Sequence, residues 1–279
     1  MAAGQAEFAS ELKQLGINVS RETLQRLETY AALLTKWQAR INLVGPATLP
    51  DLWRRHFLDS AQLLPLLPDF LPPLTAPLPP LRGKVGMGGN AAPGDSDQTP
   101  GEGRALRRGP PHPAPAKLAS LAKPSQPSPA GGEGEPAGGT LVDLGSGAGF
   151  PGLVLAIMTD WRVHLVDSDQ RKCAFLRQVA LDCGVLTQVT IHAKRIEQIA
   201  GIAADVVTAR ACAPLDELLK LAAPLAGEAG TCLFLKGAQV EEELTAAERH
   251  WTMRLDKRGS ITDPAGKLLI ITQLKRKSQ

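Results

Sequence analysis

A short glycine-rich stretch carries the clearest chemical signal in this sequence of 279 residues. Residues 141–152 read LVDLGSGAGFPG, so an apolar run leads into Gly145, Gly147 and Gly149, and an apolar helical pattern follows. Glycine accepts positive φ angles and lets backbone N–H groups approach a ligand, which suits such a loop to binding a cofactor. Read from Gly147, the stretch also satisfies the dinucleotide fingerprint GxGxxG. The glycines alone therefore leave S-adenosylmethionine and NAD open.

Two carboxylates near the loop help to choose between these ligands. Asp143 lies just before the glycines, where a carboxylate can face the sulfonium and amino end of S-adenosylmethionine but would repel a pyrophosphate. Asp167 ends the second predicted strand, where it can bind both ribose hydroxyls of either ligand. Asp167 therefore indicates a ligand with an adenosine ribose, and Asp143 favours S-adenosylmethionine and hence methyl transfer. A glycine turn that packs without a ligand is the remaining alternative.

Composition places the chain among ordinary globular proteins. Hydrophobic residues make up 43% and charged residues 21%, and the apolar runs are shorter than the roughly 20 residues of a membrane span. The first residues lack the basic and apolar regions of a secretory signal, and the four cysteines form no CxxC pair. We therefore expect a cytoplasmic protein with reduced thiols, no metal site and no membrane association.

The net charge of +3 gives little reason to expect non-specific binding to nucleic acid. Residues 71–139 contain seven Lys/Arg and five Asp/Glu, which accounts for +2 of the +3. The rest of the chain is close to neutral, so only local basic clusters can support an RNA-binding surface. One such cluster, the tail at 275–277, is equally typical of a solvated terminus.

Composition also divides the chain into three parts, at 1–70, 71–139 and 140–279. The first reads as a helical extension, with Ser20 as the cap of one helix and a second helix beginning near 48–51. The middle part holds 15 of the 23 prolines and 13 of the 27 glycines and has no apolar periodicity, which predicts a disordered insert. An arm that contacts RNA through its arginines is the alternative for this insert.

From residue 140 the pattern alternates between strands and helices. Strands are predicted at 141–144, 162–166, 189–192, 205–208, 231–235 and 267–272, and helices at 172–182 and 215–223. This alternation is typical of a doubly wound, mostly parallel α/β sheet. We therefore predict a Rossmann-like class I methyltransferase sheet that follows the helical extension and the insert.

Six ordered motifs extend along the chain outside the insert. They lie at 36–43 (KWQARINL), 55–60 (RHFLDS), 143–152 (DLGSGAGFPG), 175–178 (FLRQ), 209–211 (ARA) and 235–237 (LKG). In these motifs the chain resembles the RsmG (GidB) family, the bacterial ribosomal RNA small-subunit methyltransferase G. The resemblance covers about residues 10–68 and 140–275, and the insert departs from it. It implies methylation of guanine N7 in 16S (small-subunit) ribosomal RNA, with that RNA or the 30S subunit as partner.

The resemblance, together with the loop chemistry, also implies a binding pocket for the methyl donor. Its predicted members are Asp143, Gly145, Gly147, Gly149, Phe150, Asp167, Ser168, Ile196, Glu197 and Arg210. Asp167 and Ser168 would bind the ribose, whereas Ile196 and Glu197 would lie near the adenine.

Three residues are candidates for positioning the target, with no obligatory general base among them. Arg210 follows the predicted strand 205–208 at the edge where target and donor meet, and a surface salt bridge is its alternative role. His56 would contact the target or serve as a structural histidine. Lys236 would meet an RNA phosphate or remain a solvated lysine.

The sequence lacks two motifs that are typical of methyltransferases acting on other atoms of the bases, which agrees with methylation at N7. It has no Asn/Asp-Pro-Pro-aromatic tetrapeptide, which holds exocyclic amines, and no Pro-Cys dipeptide, since Cys212 is flanked by alanines. Guanine N7 carries a free lone pair, so the reaction needs alignment rather than a base.

Other functions remain open from the sequence alone. One is a methyltransferase of the same fold that acts on a non-RNA substrate, and another is a ribosome-assembly or RNA-binding factor with a vestigial donor pocket. A nicotinamide oxidoreductase is disfavoured because Asp143 is badly placed and Tyr30 is the only tyrosine. A monomer is expected.

Overall fold

The structure is a computed structural model that describes residues 3–67, 138–227 and 229–278. The predicted insert at 71–139 therefore lies outside the described residues, except for Gly138 and Gly139, which lead into the first strand. Among the described helices, none is long and apolar enough to cross a membrane.

Two helices open the described chain, α1 (Ala3–Gln14) and α2 (Arg21–Gln38). The predicted cap of α2 is confirmed, because the Ser20 side chain accepts a hydrogen bond from the Thr23 amide at 3.0 Å. The buried face of α2 includes Tyr30, which reaches the glycine loop. This helix therefore helps to support the candidate site.

The second helix predicted in this part is present, although its hydrogen-bond ladder is irregular. A 3₁₀ turn (Pro46–Asp51) leads into a continuous helical stretch formed by a π turn (Trp53–Leu58) and the single turn α3 (Asp59–Ala61), and another 3₁₀ turn (Leu64–Leu66) follows. Pro50 has no N–H to donate, and the Ser60 hydroxyl donates to the His56 carbonyl at 2.7 Å. Both features weaken a regular α-helical ladder.

Seven strands of the described residues form one sheet. They are β1 (Thr140–Leu144), β2 (Arg162–Val166), β3 (Val189–His192), β4 (Val206–Arg210), β5 (Thr231–Lys236), β6 (Trp251–Gly259) and β7 (Lys267–Arg276). Their order is β3-β2-β1-β4-β5-β7-β6, with β1 to β5 parallel and β7 antiparallel to β5 and β6. The predicted doubly wound, mostly parallel sheet is confirmed.

Strand β6 is the one that the sequence pattern did not predict. It lies at the edge of the sheet, and most of its side chains are exposed after the buried Trp251. Its residues WTMRLDKRG are mostly polar and charged, as is common for an edge strand that must not pair with another chain. Such a strand lacks the apolar run by which the other six were predicted.

Helices cover both faces of the sheet. They are α4 (Gly152–Met158), α5 (Gln170–Asp182), α6 (Leu215–Ala226) and α7 (Val240–Ala247). On one face, α4 and α5 share a hydrophobic core with α1, α2 and the turns that follow them. On the other face, α6 and α7 pack against β1, β4 and β5. The N-terminal helices are thus continuous with the core beneath the glycine loop.

The topology places the chemistry at one edge. The strand order reverses at β1, between β2 and β4, and ligands of open α/β sheets bind at such a switch point beyond the carboxyl ends of the strands. The glycine loop follows β1, and Asp167 follows β2 at the same edge.

Candidate active site

The glycine loop between β1 and α4 adopts the backbone that its residues predicted. Gly145, Gly147 and Gly149 have φ angles of 65°, 57° and 96°, which residues other than glycine rarely adopt. A Cβ at Gly147 would lie in ordinary contact, 3.7 Å from the Gly145 carbonyl, so this position keeps open space above the loop. A Cβ at Gly145 would lie only 2.5 Å from the Cys212 sulfur. Gly147 is thus the loop position with open space, whereas Gly145, although partly exposed, packs closely against Cys212.

The other two glycines serve packing. A Cβ at Gly149 would lie 2.6 Å from the Tyr30 hydroxyl, and one at Gly152 would lie 2.8 Å from an Asp143 carboxylate oxygen. Gly149 is itself buried, and its backbone packs against Tyr30 of α2 and Leu153 of α4. Of the predicted donor residues, Gly149 therefore shapes the loop from below.

Asp143 is fully buried beneath the loop. Its carboxylate accepts hydrogen bonds from the Thr208 hydroxyl at 2.8 Å and the Gly152 amide at 3.3 Å. Burial raises the pKa of Asp143 to about 6, although the hydrogen bonds and the Arg210 charge act in the opposite direction. The group is therefore mostly ionised at neutral pH, and its charge lies below the loop rather than on the surface of the cleft.

Asp167 occupies the position predicted for a ribose ligand. One carboxylate oxygen accepts from the Gly147 amide at 2.8 Å and the other from the Asp169 amide at 2.8 Å. A carboxylate has about four acceptor sites, so two remain for a pair of hydroxyls. Ser168 follows as an exposed residue. The structure thus brings the β2 carboxylate directly against the glycine loop.

The predicted adenine contacts lie after the next strand. Ile196 and Glu197 belong to a 3₁₀ turn (Ile196–Gln198) that follows β3, with Ile196 partly buried and Glu197 exposed. The adjacent strands β1, β2 and β3 thus end in the loop, the carboxylate and this turn respectively. We call this set of three the donor cradle.

Phe150 lies at the centre of an aromatic cluster. Its ring stacks on Tyr30 at 5.2 Å and on His56 at 5.0 Å between ring centroids, and Phe57 meets it edge-on at 5.3 Å. The Arg210 guanidinium lies 5.0 Å from the centroid of the same ring. Phe150 is only 3% exposed. Through these ring contacts it links the N-terminal segment to the donor cradle.

Arg210 ends β4 and is held by the N-terminal segment. Its Nη1 lies 3.4 Å from Asp59 Oδ2 and donates to the Arg55 carbonyl at 3.1 Å. The salt bridge that was the alternative for Arg210 is present, and both side chains are largely buried. It fixes the guanidinium over Phe150 at the edge of the sheet.

Asp59 is also bonded to the loop between β6 and β7. Its Oδ1 accepts from the Thr262 hydroxyl at 2.6 Å and from Gln62 at 2.9 Å. The same glutamine accepts from the Ile261 amide at 3.1 Å. One carboxylate therefore joins three distant parts of the chain next to Arg210.

Comparison with known proteins agrees with this geometry. A family model described as rRNA small subunit methyltransferase G (GidB) matches residues 23–71 and 133–268. The ribosomal RNA small subunit methyltransferase G of Paramagnetospirillum magneticum is 46% identical over 258 residues, which is 92% of this chain and 92% of that protein. The protein of the same name from Rhodospirillum rubrum is 41% identical over 93% of this chain and 95% of that protein.

The chain belongs to the rRNA small subunit methyltransferase G family. The resemblance predicted from the six motifs is therefore confirmed, and the family match passes over residues 72–132 within the predicted insert. Among solved structures, a TehB-like methyltransferase from Corynebacterium glutamicum covers 48% of this chain and 80% of its own, with 14% identity and a TM-score of 0.38.

Two residues predicted to position the target are buried in this family member. His56 is 7% exposed, and its Nε2 lies 2.7 Å from the Thr48 hydroxyl. Burial, aided by the charges of Arg210 and Arg55, lowers the pKa of His56 to about 3, so the ring is neutral. The structure thus supports the alternative role of His56, a structural histidine that stacks on Phe150.

Lys236 is likewise not a solvated lysine. Its ammonium lies 2.6 Å from the Glu243 carboxylate and donates to the Ala213 carbonyl at 2.8 Å, with the side chain 7% exposed. A phosphate contact would compete with this ion pair. Lys236 lines a cavity of about 630 Å³ beyond the carboxyl ends of β4 and β5.

Several residues of the site were not predicted from the sequence. They are Tyr30, Asp59, Thr208, Cys212 and Glu243. The signal for Asp59 was present in the motif RHFLDS, four residues after Arg55. Glu243 lies on a helix that the pattern did not predict, within a run of three glutamates that reads as a solvated surface.

Proposed function

We propose that this chain transfers the methyl group of S-adenosylmethionine to N7 of a guanosine in small-subunit ribosomal RNA. The observation that carries the proposal is the donor cradle, in which an open glycine loop meets the Asp167 carboxylate at the switch point of the sheet. The cradle offers an adenosine-containing methyl donor an open loop and the remaining acceptor positions of Asp167. This favours an enzyme over an assembly factor with a vestigial pocket.

The reaction at N7 needs little from the protein beyond alignment. The N7 lone pair forms the new bond to the methyl carbon while the carbon–sulfur bond breaks, and the electrons leave with the thioether. No proton is lost, and the positive charge passes from the sulfonium to the purine. A site whose titratable side chains are already paired is therefore sufficient.

The charges around the site fit a reaction that keeps one positive charge. Asp59 neutralises Arg210, and Asp143 adds a buried negative charge below the loop. The Arg210–Asp59 pair therefore adds no net charge, and the fixed Asp143 carboxylate would partly compensate the positive charge of both donor and product without reorganisation. Arg210 would position the base or the donor carboxylate by its planar fork of donors.

The methylated base can be located chemically. N7 methylation makes a guanosine labile to borohydride followed by aniline. Small-subunit ribosomal RNA from cells without this protein should be cleaved at one guanosine after incubation with enzyme and donor, and should remain intact there without enzyme. Transfer to an amine, a pyrimidine or a ribose hydroxyl would refute the N7 assignment.

The chain would act on RNA in the cytoplasm as a monomer. Folded RNA or the 30S subunit is the expected partner because the described chain offers little bulk positive charge and must recognise shape. Methylation assays that compare free RNA with the subunit, and light scattering of the protein, test these points.

A further inference from the structure

The cavity beyond β4 and β5 is separate from the donor cradle. Its wall is formed by the segment after β4, the segment after β5 and the first turns of α7. The lining residues are Ala211, Cys212, Ala213, Pro214, Leu235, Lys236, Gly237, Ala238, Gln239 and Glu243. Cys212 connects the two sites, because its sulfur packs against Gly145 of the glycine loop. At about 630 Å³, the volume of this open cavity falls within the range of small-molecule sites.

The polar floor of this cavity is an ion pair that the backbone fixes in place. Glu243 Oε2 accepts from Lys236 Nζ at 2.6 Å and from the Leu215 amide at 2.7 Å. Lys236 in turn donates to the Ala213 carbonyl at 2.8 Å. Neither side chain can turn away without losing these bonds, so the ion pair is held in place in the wall of the cavity.

The unused hydrogen-bonding groups of Glu243 and Lys236 match those of guanine. Among the described residues, Glu243 Oε1 has no hydrogen-bond partner, and an ionised carboxylate only accepts. Guanine presents two adjacent donors, N1–H and the N2 amino group, whereas adenine presents an acceptor at N1. The third proton of Lys236 remains for an acceptor such as guanine O6.

We propose that Glu243, fixed by Lys236, reads the Watson–Crick edge of the target guanine inside this cavity. The inference rests on the proposed function and adds the residue that selects the base. N7 lies on the Hoogsteen edge of guanine, which adjoins the Watson–Crick edge at O6, so a base bound through N1 and N2 leaves N7 free to react. Cys212 lines the cavity and also borders the glycine loop, so the cavity adjoins the candidate site for the methyl donor.

Mononucleotide binding tests the base selection without requiring catalysis. The protein is saturated with S-adenosylhomocysteine, and the affinities for guanosine, inosine and adenosine monophosphates are measured by NMR titration. The three share one ribose phosphate, so any phosphate contribution cancels. Guanosine monophosphate should bind about tenfold or more tightly than inosine monophosphate, which lacks the N2 amine, and adenosine monophosphate should bind most weakly.

Glu243→Gln should remove this preference and keep the fold, because the amide oxygen can still accept from Leu215. We expect guanosine monophosphate to bind at least about fivefold more weakly to the variant, with little change for adenosine monophosphate. Glu242→Gln, a change at an exposed neighbour on α7, is the matched control and should leave all three affinities unchanged. If Glu243→Gln fails to fold, the three affinities of the wild type decide alone.

The outcomes separate this inference from the function on which it rests. Equal affinity for the three nucleotides, no measurable binding, or a guanine preference that survives in Glu243→Gln overturns the inference. If the wild type prefers guanine but does not methylate ribosomal RNA, the proposed function fails and the recognition stands. If it methylates N7 without any guanine preference in binding, the recognition fails and the function stands.

Discussion

Replacing Asp143 with asparagine should make the protein more stable at neutral pH, although the residue lies at the centre of the site. The carboxylate is fully buried, and burial raises its pKa from 3.8 to about 6. The folded state therefore binds a proton between about pH 6 and 3.8 that the unfolded state does not bind. Burial of the ionised Asp143 carboxylate therefore lowers the free energy of unfolding above pH 6. This destabilisation decreases as the pH falls from about 6 to 3.8.

The size of the effect follows from the shift. A difference of about 2 pKa units corresponds to about 3 kcal/mol at pH 7.5, and only about 1 kcal/mol of it remains at pH 4.5. Asparagine has no charge to bury, and it can accept from Gly152 while it donates to the Thr208 hydroxyl. The free energy of unfolding of Asp143→Asn should thus exceed that of the wild type by about 2–3 kcal/mol at pH 7.5.

Urea unfolding of both proteins at pH 7.5 and pH 4.5 measures this difference. The advantage of the variant should shrink by about 2 kcal/mol at the lower pH. Asp205→Asn, a change at an exposed carboxylate near the other end of β1, is the control and should alter stability by about 0.5 kcal/mol or less. A variant that is no more stable at pH 7.5, or whose advantage does not depend on pH, would refute the reasoning. Calorimetry should show weaker donor binding in the same variant, because the negative charge below the loop is lost.

Two further substitutions follow from the contacts of the loop and of β4. Arg210→Ala should lower kcat/KM for RNA by more than about tenfold and the free energy of unfolding by about 1–2 kcal/mol. The substitution removes the cation over Phe150 and leaves the Asp59 carboxylate without its cation. Steady-state kinetics per folded molecule that match the wild type would show a purely structural role. Gly145→Ala should cost about 2–4 kcal/mol in thermal unfolding, because the new methyl group would lie 2.5 Å from the Cys212 sulfur at a φ of 65°. Adding Cys212→Ala should recover part of that cost, and no recovery would locate the whole penalty in the backbone.

The fold was largely predictable because its strands are buried. The six predicted strands are apolar runs between helices, and each has a counterpart in the sheet. The edge strand β6 was missed because its polar residues carry no such run. The helical stretch after Pro50 was predicted from its apolar spacing, whereas its π turn at Trp53–Leu58 has no signal in that spacing.

The site was predictable only where a backbone conformation or a strand end defines it. Gly145, Gly147 and Asp167 could be placed because glycine spacing and strand ends determine their positions. The roles of His56 and Lys236 could not be settled, because burial depends on which elements pack over them. The sequence does not reveal that Phe150 stacks on the ring of His56 or that Glu243 neutralises the ammonium group of Lys236.

The N-terminal segment packs against the candidate site and shares its core rather than forming a separate unit. Tyr30 donates to the Ala148 carbonyl in the glycine loop, and Asp59 holds Arg210. Without residues 3–67, the ring of Phe150 would be exposed and the guanidinium would lose its carboxylate and its fixed position. The sheet carries the donor cradle, but Arg210, which we propose positions the target or the donor, is held by Asp59 from outside the sheet. Because in-line methyl transfer depends on alignment, the family's helical segment and its sheet must fold together for activity.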